Sequence, residues 1–435
     1  MGSETSAVAG EKHTFLFVSY DGTTTDLAWT VAKEGHNVRL YLEAEQCAEV
    51  GKGFVERVDD WQSHVEWADV VVFDHIGSGL IAQELRERGK LVVGGTPYTD
   101  RLEHERSFGQ DELKRHKVRI LPYWEFHSFQ DGIEFVQTNP GRYVLKPSGD
   151  AQNLKQLLFV GSEEDGSDVI RVLKAYEKTW SDDINVFQLQ KRVKGVEVAV
   201  TGFFNGKKFL DQVYVNFEHK KLFPGELGVS TGEMGTSAFW SPRSPIFESL
   251  LRPFEVTLAE QGYVGPIDIN SMVNGNGMYP LEFTCRFGYP AIQLQQEGLL
   301  EPMGNFLYKL ASGEDFAVRA KRGYQVCALV VVPPFPFHDP KTFASFSEDA
   351  IVVFRNASRE GVHIGDLKEE NGEWLITGEE GTALIISGSG STMSDAQKQM
   401  YGRIGNILIS NMYYRTDIGD RWVTDSDKLR AWGYL

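Results

Sequence analysis

The sequence predicts a mixed chain: an α/β domain on a doubly wound parallel sheet, then an α+β body rich in antiparallel strands. Three observations lead there. Short, mostly apolar runs at residues 14–19, 37–42, 70–74 and 91–93 alternate with helical stripes, the pattern of a sheet covered by helices on both faces. From Gly195 onward the pattern changes to strands joined by turns such as Asn205-Gly206, where Asn and Gly accept positive φ at little cost. Hydrophobic residues make up 41% of the 435 and aromatics 12%, enough for packed cores in two to four domains of about 150 residues each.

In chain order, MGSETSAVAG lacks the apolar core of a signal peptide, so residues 1–12 read as a flexible leader. The strand 14–19 is followed by the polar turn 20–25, and Leu27, Ala28, Val31 and Ala32 then form a helical stripe ending at Gly35. Strands 37–42 and 70–74, a helix 80–88 and a strand 91–93 complete the first domain. Ligands of such sheets gather at the carboxyl ends of strands, which singles out loops 20–25, 75–79 and 94–99. None holds a full GxGxxG, so an oxidoreductase built on this sheet has no glycine pattern behind it. A charged helix, 102–115, leads into a smaller α+β segment with strands 142–147, 156–160 and 185–190 and a helix 168–178. Lys146 ends its first strand beside a Gly-containing loop and could hold phosphates, or serve as a surface lysine. Next come the hairpin 197–204/209–215 and the Gly-rich stretch 228–236, whose backbone can present N–H donors to anions. Helices are expected at 244–261, 297–311 and 394–412, strands at 326–332, 351–354, 373–377 and 383–387, and a Pro-rich loop at 333–340.

Net charge is −17 without a long Lys/Arg run, which argues against nucleic acid or an anionic membrane as the main partner. A nucleotide needs only a few local cations. Cys47, Cys285 and Cys327 have no metal-ligand spacing and read as buried thiols of a reducing cytoplasm. No apolar run approaches the roughly 20 residues that span a bilayer.

Residues 262–290 concentrate the chemistry. Asp268 lies between Ile267 and Ile269, Glu282 between Leu281 and Phe283, and Asn274-Gly275-Asn276-Gly277 turns one strand into the other. Carboxylates set in apolar strands face a large desolvation penalty unless a cation joins them. They are either a Mg²⁺ site that clamps nucleotide phosphates or solvated edge residues, with Arg286 favouring a site.

Four stretches in order extend this. Residues 281–290, LEFTCRFGYP, resemble a family's LEFNCRFGDP. His219-Lys220-Lys221 with residues 231–242 resemble DHKR…TGGMGAYSP, residues 101–108 resemble QLEGSKAF, and residues 386–419 resemble its last domain. The chain is similar throughout to the phosphoribosylamine–glycine ligase (glycinamide ribonucleotide synthetase) family of ATP-grasp enzymes. The resemblance implies a Rossmann-like N-terminal domain (13–118), an ATP-grasp lid (119–193), a catalytic core (194–320) and a small β-rich C-terminal domain (321–435). It implies an ADP-forming ligase that activates a small carboxylate such as glycine as an acyl phosphate and passes it to an amine. ATP and Mg²⁺ (or Mn²⁺) would be cofactors of a cytoplasmic monomer or homodimer.

By position, the resemblance assigns the metal to Asp268, Glu282 and Thr284. Lys146 and Lys155 fall to the phosphates, Gln190, Lys191 and Val193 to the adenine, and Glu197 to the ribose. Arg286, Lys220 and Gly235 fall to catalysis, and Gly232, Glu233 and Met234 to the acceptor. Asp21, Gly22, Thr23 and Thr24 occupy the turn that receives the amine. Several positions depart from the pattern. Thr284 replaces an asparagine, and the linker-helix phosphate lysine is read at Gln110. The lid loop carries Asp150 instead of a Gly-Lys-Gly. The first turn lacks the family's Arg-Glu-His, and Asp21 and Asp26 there would repel a phosphate. Tyr289 and Ala291 replace two acids. An altered amine fits these changes, as does an alternative role as a nucleotide-binding or scaffolding module with impaired catalysis.

Overall fold

The computed structural model describes residues 11–148, 157–182 and 184–435. The apolar runs near the N-terminus form five parallel strands: β1 (Thr14–Ser19), β2 (Asn37–Leu42), β3 (Glu56–Arg57), β4 (Val70–Phe73) and β5 (Leu91–Val93). They lie in the order β3-β2-β1-β4-β5, crossed by α1 (Thr25–Lys33) and α2 (Gly79–Glu87). The chain reverses its winding between β1 and β4. The turns that leave these two strands therefore open at the switch point, where such sheets bind ligands.

The expected helix 102–115 is two helices, α3 (Pro97–His104) and α4 (Arg106–Arg115), because Glu105 between them is extended at φ −97, ψ 93. The lid follows with β6 (Tyr123–Phe126), α5 (Phe129–Thr138), β7 (Tyr143–Pro147), β8 (Phe159–Val160), α6 (Ser167–Thr179) and β9 (Phe187–Lys191). Its four strands run β6-β9-β7-β8 over a separate core that includes Ile133, Tyr143, Leu173 and Phe187. The pattern reading had passed over α5, which Ser128 caps through the amide of Asp131.

The body contains β10 (Val196–Asn205), β11 (Phe209–Glu218), β12 (Lys221–Phe223), β13 (Leu227–Ser230), β14 (Gly235–Ser241), β15 (Val264–Asn274) and β16 (Gly277–Thr284). The expected helix 244–261 is α7 (Pro245–Leu250) and α8 (Glu255–Glu260), parted by a 3-10 turn through Pro253, since proline cannot donate the backbone bond that a continuous helix needs. The expected helix 297–311 likewise divides into α9 (Ala291–Gly298) and α10 (Met303–Ser312) ahead of Pro302. The C-terminal part contributes β17 (Tyr324–Val331), α11 (Pro340–Phe346), β18 (Val353–Phe354), β19 (Val362–Ile364), β20 (Leu367–Glu370), β21 (Glu373–Ile376), β22 (Thr382–Gly390), α12 (Met393–Ile404), β23 (Ile407–Leu408) and α13 (Trp422–Ala431). One eight-stranded sheet, β16-β15-β10-β11-β14-β17-β22-β19, runs across both parts. Among the described residues, no helix is long and apolar enough to cross a membrane, and Cys47, Cys285 and Cys327 are free and buried.

A buried polar chain fixes the N-terminal domain on this body. Asp26, 1% exposed at the start of α1, takes a hydrogen bond from the Ile364 amide (3.0 Å) and lies 2.8 Å from His363 Nδ1. His363 Nε2 meets Ser387 Oγ at 3.0 Å, and Ser387 donates to Glu297 at 2.9 Å. Asp26 was expected to face a substrate phosphate; it instead pins α1 to β19. Each buried donor left without its acceptor costs about 1–3 kcal/mol. Asp26→Ala is expected to lower unfolding stability by about 2–3 kcal/mol, measured by urea denaturation, and an unchanged midpoint would show that the chain of contacts carries no stability.

Candidate active site

Sheet register gathers the chemistry. Across β15 and β16, Asp268 pairs with Thr284 and Asn270 with Glu282. Thr201 on β10 pairs with Asp268, Ala199 with Asn270, and Asn216 on β11 with Ala199. Residues two apart on a strand share a face, so Glu197, Glu218, Asp268, Asn270, Glu282 and Thr284 all project from one side of the sheet. The two carboxylates expected as a pair are thus offset diagonally. Asn270 is the residue opposite Glu282, and the IDIN run that carries it was on view in the sequence.

Lys220, just beyond β11, sits in the middle of this acidic face. Its Nζ lies 2.9 Å from Glu197, 3.0 Å from Glu218 and 3.6 Å from Glu282. Burial works against its charge, but the carboxylates of Glu218, Glu197 and Glu282 prevail and hold its pKa well above the usual lysine value. Burial also acts to raise Glu197, which Lys220 then draws below the ordinary carboxylate range. Asp268 and Glu233 are pushed well above that range, by burial first and by Glu218 next. Thr201 Oγ1 donates to Asp268 at 2.9 Å. Asn270 donates to Glu197 at 3.0 Å and to Glu218 at 3.2 Å, while its buried Oδ1 has no partner among the described residues.

That carbonyl oxygen beside Glu282, with the Asp268 and Thr284 oxygens one register step away, is a hard-donor set suited to Mg²⁺ or Mn²⁺. Among the described residues, no three His, Cys, Asp or Glu side chains form a ready-made metal cage. Ligand oxygens would have to complete the shell, as is usual for Mg²⁺ bound with phosphates.

Two cavities meet at Glu282 and Lys220. One, about 530 Å³, lies between lid and body and is lined by Lys146, Gln190, Lys191, Val193, Glu197 and Arg106, with apolar Val144, Met272 and Leu281. Lys146 is 7% exposed, and burial, then neighbouring Arg106, lowers its pKa to about 7. The second, about 550 Å³, opens toward the N- and C-terminal parts and is lined by Asp21, Thr23, Gly232, Glu233, Asp268, Thr284 and Arg286. Arg286 Nε is held by Glu103 at 3.0 Å. The C-terminal part adds Phe335, His338 and Glu380 to this wall, residues that the sequence pattern did not single out.

Other expected residues stand elsewhere. Thr24 is fully buried and donates to Asp74 at 2.7 Å, and Gly22 donates its amide to Ser19 Oγ. Met234 is fully buried, and Gly235 pairs with Ala328 inside β14. None of the four lines either cavity. Lys155 and Asp150 lie outside the described residues. The linker-helix cation is not lost to Gln110, which is buried and donates to Gln188 at 3.2 Å. Laid stepwise over residues 101–108, QLEGSKAF places its lysine at Arg106. Arg106 heads α4 inside the first cavity, and its buried Nε has no partner among the described residues.

Residues 104–292 match the family model of the phosphoribosylglycinamide synthetase ATP-grasp (A) domain. The chain is similar to phosphoribosylamine–glycine ligase of Clostridium acetobutylicum, 23% identical over 430 residues that span 93% of this chain and 99% of the relative. It is 25% identical over 447 residues to that of Caulobacter vibrioides, spanning 94% and 99%. The crystal structure of phosphoribosylamine–glycine ligase from Thermotoga maritima shares the fold with a TM-score of 0.71 at 18% identity, over 93% of this chain and 100% of that one. A biotin carboxylase from Campylobacter jejuni shares it at 0.64 and 11% identity, over 98% and 97%. Over nearly its full length the chain is thus similar to phosphoribosylamine–glycine ligases, at 23% and 25% identity, and its ATP-grasp (A) domain match lies over residues 104–292.

Proposed function

We propose that this protein is an ADP-forming ligase that joins a small carboxylate, such as glycine, to an amine at the expense of ATP. The observation that carries the proposal is the meeting of the two cavities at Glu282 and Lys220, so that a nucleotide in one presents its terminal phosphate to a substrate in the other. Adenine fits against Val144, Met272 and Leu281 with its polar edge toward Gln190–Val193, and Glu197 is placed to accept from a ribose hydroxyl. Lys146 and Arg106 supply positive charge for the phosphates. The carboxylate oxygen attacks the terminal phosphorus, ADP departs, and an acyl phosphate remains. The neutral amine then attacks the acyl carbon; the C–N bond forms, the C–O bond breaks, and phosphate leaves with the proton shed by nitrogen.

Glu282 and Asn270, with Asp268 and Thr284 beside them, would hold Mg²⁺, which neutralises phosphate charge when bound. Lys220 and Arg286 keep fixed positive charge where the acyl-phosphate oxygens collect, and such preorganised charge is a major source of rate in acyl and phosphoryl transfer. The lid strands shield this chemistry from water.

With Mg·ATP, glycine and a panel of amines, amine-dependent release of ADP and phosphate is expected. Its absence across the panel, where a known ligase turns over, would refute the proposal. Glu282→Gln is expected to lower kcat by about 10²–10³-fold, and undiminished turnover would remove Glu282 from the phosphate-transfer site.

Lys146 supplies a pH test. With its pKa lowered to about 7, it is largely neutral above that pH in the free protein, and bound phosphates favour its charged form. ADP binding at pH 8.5 is therefore expected to take up close to one proton and to weaken as pH rises above about 7. Calorimetry in buffers of different ionisation enthalpy reads this uptake. Lys146→Met should abolish it, and uptake that persists in this variant would contradict the assignment.

A further inference from the structure

The two cavities carry opposite charge. Among the described residues, the nucleotide cavity is lined by seven lysines and arginines against three carboxylates. The second cavity has six carboxylates against two such cations, Lys220 and Arg286. Both of these cations are already engaged, Lys220 by Glu197 and Glu218 and Arg286 by Glu103. Among the described residues, no other lysine or arginine lines this cavity: Arg286 faces Asp21 as well as Glu103, and Asp21 and Glu380 line the wall with Tyr289, Phe335 and His338. Asp21 is fixed by hydrogen bonds from the Thr23 amide (3.1 Å) and hydroxyl (2.7 Å). Desolvation within the cleft, then Asp21, raises Glu380 although its side chain keeps an exposed edge, and half-buried Asp366 is raised by desolvation, then by Glu380. These carboxylates therefore crowd one another.

A second observation points to a ligand. Asn216, only 2% exposed, lines the same cavity from the sheet face that carries Glu218 and Asp268, and its Oδ1 has no hydrogen-bond partner among the described residues. A buried carbonyl oxygen left unpaired is costly, and a donor in the cavity would recover that cost. The cavity thus offers oxygens and aromatic faces, both suited to N–H donors and positive charge.

Building on the ligase reading, we infer that the amine substrate is an unphosphorylated cation, a diamine or a basic amino acid, whose non-reacting ammonium is held at Asp21 and Glu380. Its second nitrogen, neutral when it reacts, extends toward Glu282 and Lys220. A sugar phosphate placed here would set a dianion against Asp21 and Glu380, with no lysine or arginine among the described residues of the wall that a carboxylate does not already engage.

Titration calorimetry on the full chain at 0.15 M salt tests this directly. 1,4-Diaminobutane, added without nucleotide, is expected to bind, and Asp21→Asn/Glu380→Gln is expected to weaken it at least tenfold while ADP affinity stays within twofold. Glu380→Gln alone changes one exposed loop side chain and serves as the second variant, with a severalfold loss expected. Ribose 5-phosphate binding that survives saturating ADP would overturn the inference. So would a diamine that fails to bind, or that binds both variants as tightly as the natural chain. Loss of ADP binding in the natural chain would refute the ligase reading and leave the diamine result to be judged alone.

Discussion

Glu197, Glu218, Asp268 and Glu282 rise from four adjacent strands onto one sheet face, and the Lys220 ammonium among them limits their mutual repulsion. Charges this close cannot all ionise unless a cation offsets them. The face settles this in two ways: Lys220 stays charged, and burial holds Asp268 and Glu233 toward their neutral forms. The arrangement is costly in desolvation and gives stability only while every partner is in place. A bound divalent cation and nucleotide phosphates would bring further charges to the same place, so ligand binding and the balance around Lys220 are coupled.

The rest of the fold positions that face. The parallel N-terminal sheet delivers Asp21 and Thr23 from its switch point, and the Asp26–His363 contact keeps that domain docked on the C-terminal part. Arg415, fully buried, reaches from the tail to the Lys221 carbonyl and to Glu226, both at 2.8 Å, and so ties the β12–β13 hairpin beside the cavity lined by Lys146. The segment of β6–β9 has its own core and holds Lys146 on β7 and Gln190 on β9.

Much of this was legible in the sequence because periodicity and turn chemistry act locally. The apolar runs gave the parallel strands, and Asn274–Gly277 gave the hairpin that carries Glu282. Long helices were overdrawn where a proline or one extended residue ends them, at Pro253, Pro302 and Glu105. The finer make-up of the site was less legible because it depends on register and on distant segments. Asn270 gains its role only through pairing with Glu282. Asp26, read as a phosphate-repelling residue, finds its partner 337 positions away at His363. Glu380 and Phe335 reach the cavity only once β17 and β22 join the body sheet. The charge of Arg106 is visible in the sequence, but only the fold places it, and not Gln110 one turn later, inside the first cavity beside Lys146. With Arg106 in the cavity, the Gln110 substitution no longer argues for an impaired, scaffolding role.

The central claim is that one cavity takes the nucleotide and the other its acceptor, with Glu282 and Lys220 at the junction. A crystal structure with Mg·ADP tests it most directly. Adenine is expected beside Gln190–Val193, the phosphates on Lys146 and Arg106, and the metal on Glu282 and Asn270. A nucleotide seated at the Asp21–Glu380 end, or a metal bound away from Glu282, would contradict it.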